Sequence, residues 1–243
     1  MKYPVYIILL ISVLIACNNA GEEVKKEEWA HKPVSEWPEI VFTNNIEFED
    51  TVYYGIANSF LVNTGDDTIG VTCKHIFLAF KHEELSTIDL GENFIRWKAY
   101  PRGNEDKYMI FREMINKDSY EMVDAFNTLK SRDWLLFDVK DIPEGFTPLK
   151  IRSRPALKDE IIYCIGWPYR QKEGLPSLIK MQVFRNAGPY YYVNTLTQNV
   201  DPAGRSGSPV IDVNGYIVGI VSGAEGKLGV ICNVSYLDNF IKE

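Results

Sequence analysis

A tight hairpin near the C-terminus constrains this chain more than any other feature. Pro209-Val210-Ile211-Asp212-Val213 and Tyr216-Ile217-Val218-Gly219-Ile220-Val221 are rich in β-branched residues, and Asn214-Gly215 between them suits the primed turns that join twisted strands. The loop before this hairpin is Asp201-Pro202-Ala203-Gly204-Arg205-Ser206-Gly207-Ser208. Gly204 and Gly207 accept backbone conformations that residues with side chains avoid. A tight turn of that sort can aim two successive N–H groups at one point, as a developing oxyanion requires.

A serine between glycines is by itself an ordinary turn, so its meaning depends on a base and an acid elsewhere. The three histidines, His31, His75 and His82, all precede Ser206. This order excludes an α/β-hydrolase arrangement, and Ser208 stands where that nucleophile elbow wants glycine. His31 lies in a polar N-terminal stretch, and His82 lies in the charged run Lys81-His82-Glu83-Glu84. His75 follows the apolar strand Val71-Thr72-Cys73, where a ring is firmly held yet able to face a cleft. Asp133 opens the apolar run Trp134-Leu135-Leu136-Phe137, where a carboxylate is partly buried and needs a partner. It is read either as a strand-edge aspartate or as the acid that orients a histidine.

The remaining elements read as many short strands. Segments 46–54, 55–62 and 68–73 are strand-like, with a turn at 63–67, and 94–97 and 108–111 follow. Residues 118–129 suit a helix or an irregular loop. In the second half, strands are expected over 160–166, 177–185, 190–196, 209–213, 216–222 and 228–234, with a short terminal helix over 235–242. This spacing suggests an all-β sandwich or barrel rather than βαβ units.

The N-terminus reads as a targeting segment. Lys2 precedes an almost unbroken apolar run from Val5 to Ala16, too short to span a bilayer well. It ends in Leu14-Ile15-Ala16-Cys17, which resembles the bacterial lipoprotein signal. The resemblance implies cleavage after residue 16, lipid such as palmitate on Cys17, and a membrane-anchored protein of the bacterial cell envelope facing periplasm or surface. The alternative is a plain secretory signal. Residues 17–38 are polar and acidic and are expected to form a solvated tether. The net charge of −7, or −8 once Lys2 is lost with the signal, argues against nucleic acid as the main partner. Cys73, Cys164 and Cys232 show no metal-site spacing and are expected as buried thiols, a single disulfide being the alternative.

Four motifs in order resemble the trypsin-like, chymotrypsin-fold serine proteases of bacterial type. They are Val71-Thr72-Cys73-Lys74-His75, Arg132-Asp133-Trp134-Leu135-Leu136, Gly204-Arg205-Ser206-Gly207-Ser208-Pro209, and Gly219-Ile220-Val221-Ser222-Gly223 with Gly229-Val230. The resemblance spans about residues 40–243 and implies two six-stranded antiparallel β-barrels with a short C-terminal helix. The first barrel would occupy 39–142, the crossing 143–158, and the second barrel with the helix 159–243. By position it implies His75 as general base, Asp133 as orienting acid, Ser206 as nucleophile, and the Gly204 and Ser206 N–H groups as oxyanion hole. Ser222 would buttress Asp133, the Ser222-Gly223 backbone would pair with an extended substrate, and Val200 and Asp201 would wall its side-chain pocket. Val200 aligns with the pocket floor, and a small or apolar residue is the expected preference. The implied substrate is a protein or peptide, cut by a monomer that needs no metal or organic cofactor. Arg205 departs from the family pattern, where an aspartate pairs with a newly cut N-terminal amine; the matching N-terminal segment is also missing here. An enzyme needing no activating cut is expected. A chemically idle binding module on the same fold is the second reading, with Arg205 and Ser208 leaving room for it.

Overall fold

In the computed structural model, residues 26–80 and 85–240 are described; the signal and lipid-bearing Cys17 of the sequence reading, and His82, lie outside them. Short strands dominate. β1 (Phe42–Phe48), β2 (Val52–Asn63) and β3 (Thr68–Thr72) come first, followed by β4 (Thr87–Ile88), β5 (Phe94–Tyr100), β6 (Met109–Met114) and β7 (Asp118–Met122). A single helical turn, α1 (Phe126–Leu129), precedes β8 (Leu135–Lys140) and β9 (Leu149–Lys150). The second half holds β10 (Ile161–Gly166), β11 (Ser177–Asn186), β12 (Tyr190–Thr195), β13 (Pro209–Ile211), β14 (Ile217–Glu225) and β15 (Leu228–Asn233).

These strands close into two antiparallel barrels. The first runs β1-β5-β6-β8-β3-β2 and shuts through the β1–β2 pairing; the second runs β10-β11-β12-β15-β14-β13. Closure leaves few open edges for pairing with other chains. One buried cluster crosses the join, and a second lies within the second barrel. Ile165, Trp167, Ile211, Ile217 and Ile220 of the second half belong to the same buried cluster as Phe60, Trp134 and Leu136 of the first. The crossing between barrels is tied to both of them. β9 pairs in parallel with β2, Val62 opposite Leu149, and Ile151 bridges to Ile217 of β14.

Several elements differ from the sequence reading. The break expected between 54 and 55 falls instead at 49–51, where Phe48 N–H donates to the Thr51 carbonyl at 2.9 Å. Gly55 (φ 60°) and Ala57 (φ 53°) bend β2 from within: Thr43 faces Asn58 while Asn44 faces Ile56, which leaves Ala57 as a bulge. A glycine read as punctuation is thus part of a twelve-residue strand. Segment 118–129 divides into β7, paired with β4, and the one-turn α1. The terminal helix is a 3₁₀ segment, Val234–Asn239.

The stretch expected as a solvated tether is docked from residue 26 onward. Two 3₁₀ turns, Glu28–His31 and Val34–Glu36, lie against the second barrel. Glu27 N–H donates to the Asn214 carbonyl at 3.0 Å, and Lys150 Nζ meets Glu27 at 2.7 Å. Trp29 and Trp37 stack edge to face at 5.0 Å and are partly buried on the core. Burial of two indoles outweighs the local polar composition.

Candidate active site

The groove between the barrels is built from three chain segments. β3 ends at Thr72, and the backbone then turns through Cys73 into the 3₁₀ segment Lys74–Ala79, which carries His75. Asp133 stands just before β8 and is fully buried. An ionised carboxylate there needs compensating donors, and it has three. Its Oδ1 accepts the His75 backbone N–H at 2.8 Å, and its Oδ2 accepts His75 Nδ1–H at 2.6 Å. The Ser222 hydroxyl of β14 donates to the same Oδ2. The Nδ1 contact makes Nε2 the ring nitrogen that takes a proton, and Nε2 contacts the Cys73 sulfur. Burial of the ring disfavours its charged form, but the Cys73 sulfur and the Asp133 carboxylate outweigh this, so the His75 pKa lies well above its ordinary value. The ring is further bounded by Phe126, edge-on with centroids 6.1 Å apart.

Ser206 is held against the same strand end. Its carbonyl accepts Asn58 N–H at 2.7 Å, and the Asn58 carbonyl accepts the Thr72 hydroxyl at 2.7 Å. Gly207 N–H donates to the Val221 carbonyl next to Ser222 at 3.0 Å. Gly207 sits at φ 75°, and a Cβ there would fall 2.1 Å from the Asn58 oxygen, so only glycine fits. Among the described residues no hydrogen bond joins the Ser206 hydroxyl to His75, and His75 Nε2 lies 3.7 Å from Cys73 Sγ. Catalytic hydrogen bonds are commonly loose before substrate arrives.

The carbonyls of the loop around Ser206 are occupied by donors. The Ala203 carbonyl accepts Tyr169 N–H at 2.8 Å, and Ser208 N–H reaches the Arg205 carbonyl at 3.0 Å. The Gly204 carbonyl accepts Asn58 Nδ2 at 2.9 Å. The Gly204 and Ser206 N–H groups donate to no acceptor among the described residues. Two unclaimed donors on one tight loop can bind an oxygen that gains negative charge.

Beside Ser206 a cavity of about 370 Å³ opens, lined by Ile179, Met181, Val200, Val221, Leu228 and Ile231. Gly223 and Ala224 form its rim. Asp201 does not line it; its carboxylate accepts Ala203 N–H at 3.0 Å and caps its own loop. A larger cavity, about 540 Å³, lies elsewhere, between the docked N-terminal segment and the β13–β14 hairpin.

The sequence reading passed over Asn58, Tyr169 and Phe126. Asn58 had a signal: an amide between Ala57 and Phe60 in an otherwise apolar strand demands partners. Tyr169 acts through its backbone and left no signal. His31 is exposed, and no cluster of metal-ligating side chains occurs among the described residues. Cys73, Cys164 and Cys232 are free and buried, with burial pushing the Cys164 thiol to about 11 and the Cys232 thiol to about 12.

Comparison with known proteins bears on the family and the fold. The family profile described as a trypsin-like peptidase domain matches residues 57–220. The active form of the Rv3671c protease from M. tuberculosis superposes with a TM-score of 0.55 at 17% identity, covering 88% of this chain and 86% of that one. A serine endoprotease from Yersinia pestis gives 0.54 at 12% identity, covering 85% and 62%. Kallikrein-related peptidase 10 gives 0.55 at 12%, covering 82% and 92%.

Proposed function

Since this chain belongs to the trypsin-like peptidase family, and is by that membership a serine endopeptidase, we propose that Ser206, His75 and Asp133 carry the reaction. The observation that supports this most is the Asp133 carboxylate, wholly buried yet satisfied by His75 twice and by Ser222. The Ser206 oxygen bonds to the scissile carbonyl carbon while its proton passes to His75 Nε2. The carbonyl oxygen becomes an oxyanion facing the Gly204 and Ser206 N–H groups. Collapse breaks the C–N bond, and the proton on Nε2 goes to the leaving amine. Water then attacks the acyl-enzyme, gives its proton to His75, and releases Ser206 as the proton returns to its oxygen. Asp133 stays ionised throughout and stabilises the imidazolium.

The backbone of Ser222 and Gly223 would pair with an extended peptide, and the apolar cavity floored by Val200 favours a large apolar side chain before the cut. A cationic side chain would lose its hydration there and meet Arg205 and Lys227 instead of a partner.

A fluorophosphonate probe tests the triad. Wild type should be labelled on Ser206, and His75→Ala should lose labelling by at least about 10³-fold. The contact between His75 Nε2 and Cys73 supports the second reading, a chemically idle binding module; a wild type that resists the probe at every pH would establish that reading instead.

The N-terminal motif supports a lipid anchor on Cys17 that holds the protein in the cell envelope. Incorporation of an alkyne-tagged palmitate in cells, abolished by Cys17→Ser, is the expected result; equal incorporation in both would refute it.

A further inference from the structure

The Arg205 side chain is almost wholly buried beside the reacting serine, yet no ion pair engages it among the described residues. Its donors are spent on neutral acceptors from three places. Nε donates to the Asp201 carbonyl at 2.8 Å, a first terminal nitrogen to the Gly166 carbonyl at 3.1 Å, and the second to the Ser177 hydroxyl at 2.9 Å. Gly166 ends β10 and Ser177 begins β11, so the guanidinium grips both roots of the 167–176 connection. That connection carries Tyr169, whose N–H holds the Ala203 carbonyl. The peptide unit so held is the one whose N–H belongs to Gly204. Gly204 itself is wedged against Tyr169: at φ 82°, a Cβ would lie 2.4 Å from the Tyr169 nitrogen.

A buried cation set among carbonyls is costly unless the geometry it fixes is useful. We propose that Arg205 is an internal latch: by clamping the 167–176 connection to the 201–204 loop, it keeps the Ala203–Gly204 peptide turned with its N–H toward the reacting carbonyl, so the oxyanion site stands ready without proteolytic processing. Without the latch the connection keeps its β10–β11 pairing and its Asn58 bonds but loses the Arg205 tie to the 201–204 loop, so Tyr169 holds the Ala203 carbonyl less firmly and that peptide can rotate its oxygen into the site. Arg205 is thus a positioning residue: it stands in the wall of the cavity beside Ser206 but directs its hydrogen bonds to the protein. The proposal rests on the peptidase reading above.

The test compares wild type with Arg205→Ala and Arg205→Lys, all as the full mature chain, on a chromogenic peptide with leucine before the cut. In Arg205→Ala, kcat should fall about 10²–10³-fold, the effect of losing one oxyanion donor, with KM within about twofold. Affinity for a peptide aldehyde, which forms an oxyanion on Ser206, should fall by the same factor. Affinity for the uncleaved reduced-bond analogue of the same peptide should not move. Free guanidinium at millimolar concentration should restore part of kcat in Arg205→Ala. Arg205→Lys keeps the charge but cannot span three acceptors, and should remain at least about tenfold impaired.

Either variant retaining wild-type kcat overturns the latch. So does a loss shared equally by aldehyde and reduced-bond ligands, which marks general unfolding of the groove. If Arg205→Ala does not fold, as read by its melting transition, the aldehyde comparison in Arg205→Lys decides by the same criteria. A wild type inert toward both peptide and fluorophosphonate overturns the peptidase reading itself, and the latch with it.

Discussion

Asn58 gives the sharpest test of how the two barrels are joined. Its side chain is fully buried at the join and makes three hydrogen bonds: Nδ2 to the Trp167 carbonyl at 3.2 Å, Nδ2 to the Gly204 carbonyl at 2.9 Å, and Oδ1 from Trp167 N–H at 3.1 Å. Asn58→Leu keeps the branching and the number of heavy atoms, so no cavity contributes. It strands three main-chain groups, each costing about 1–3 kcal/mol when buried without a partner. Some relief from water at the groove lip brings the expected loss to about 3–6 kcal/mol, a large part of a typical domain stability of about 5–15 kcal/mol. At about 2–4 °C per kcal/mol for a chain of this size, the melting temperature should drop about 6–24 °C. Urea titration should show a lower midpoint with an unchanged slope. The adjacent Ser59 is the internal control. It is equally buried, but its hydroxyl has no partner among the described residues, so Ser59→Ala should match or exceed wild-type stability. Asn58→Leu within about 1 kcal/mol of wild type would refute the reasoning, because three stranded groups cannot cost less than one typical hydrogen bond.

The raised His75 pKa has opposite consequences for activity and stability. The base must be neutral, so kcat/KM should rise with pH through a midpoint above the ordinary imidazole value of about 6.5; a midpoint at or below that value contradicts the site. The charged form of His75 stabilises the fold fully below about pH 6.5, and that contribution fades as pH rises through the folded-state pKa; thermal unfolding across this range should show it, and Asp133→Asn should diminish it. Ser222→Ala removes one of three donors to Asp133, a charge-assisted bond of about 1.5–3 kcal/mol, and should lower kcat about ten- to hundredfold; unchanged kcat would mean the other two donors suffice. Gly207→Ala should cost at least about 3 kcal/mol from overpacking and left-handed strain combined, and a variant with wild-type melting would show the loop to be softer than drawn.

What could be read from residues alone follows from how local each determinant is. The β13–β14 hairpin was legible because Asn214-Gly215 and the flanking β-branched residues agree with each other over a dozen positions. Asp133 was legible because a carboxylate at the mouth of an apolar run must find donors somewhere. The bend inside β2 was not, since Gly55 signals a break and a bulge alike, and only the β1 register decides between them. Nor was the docking of Trp29 and Trp37, because the surface that receives them is assembled from residues nearly two hundred positions away, at Asn214 and Gly215. The contributions of Asn58, Tyr169 and Arg205 share this character: each works through a carbonyl or amide whose direction exists only after both barrels have closed.

The double attachment of the crossing segment has a consequence for diet. Leu149 is laced to Val62 in one half and Ile151 to Ile217 in the other, so one short segment pins the two halves to each other. Halves pinned in this way would keep the groove between them at a fixed width, so a client would have to offer a slack loop or tail rather than a broad folded face.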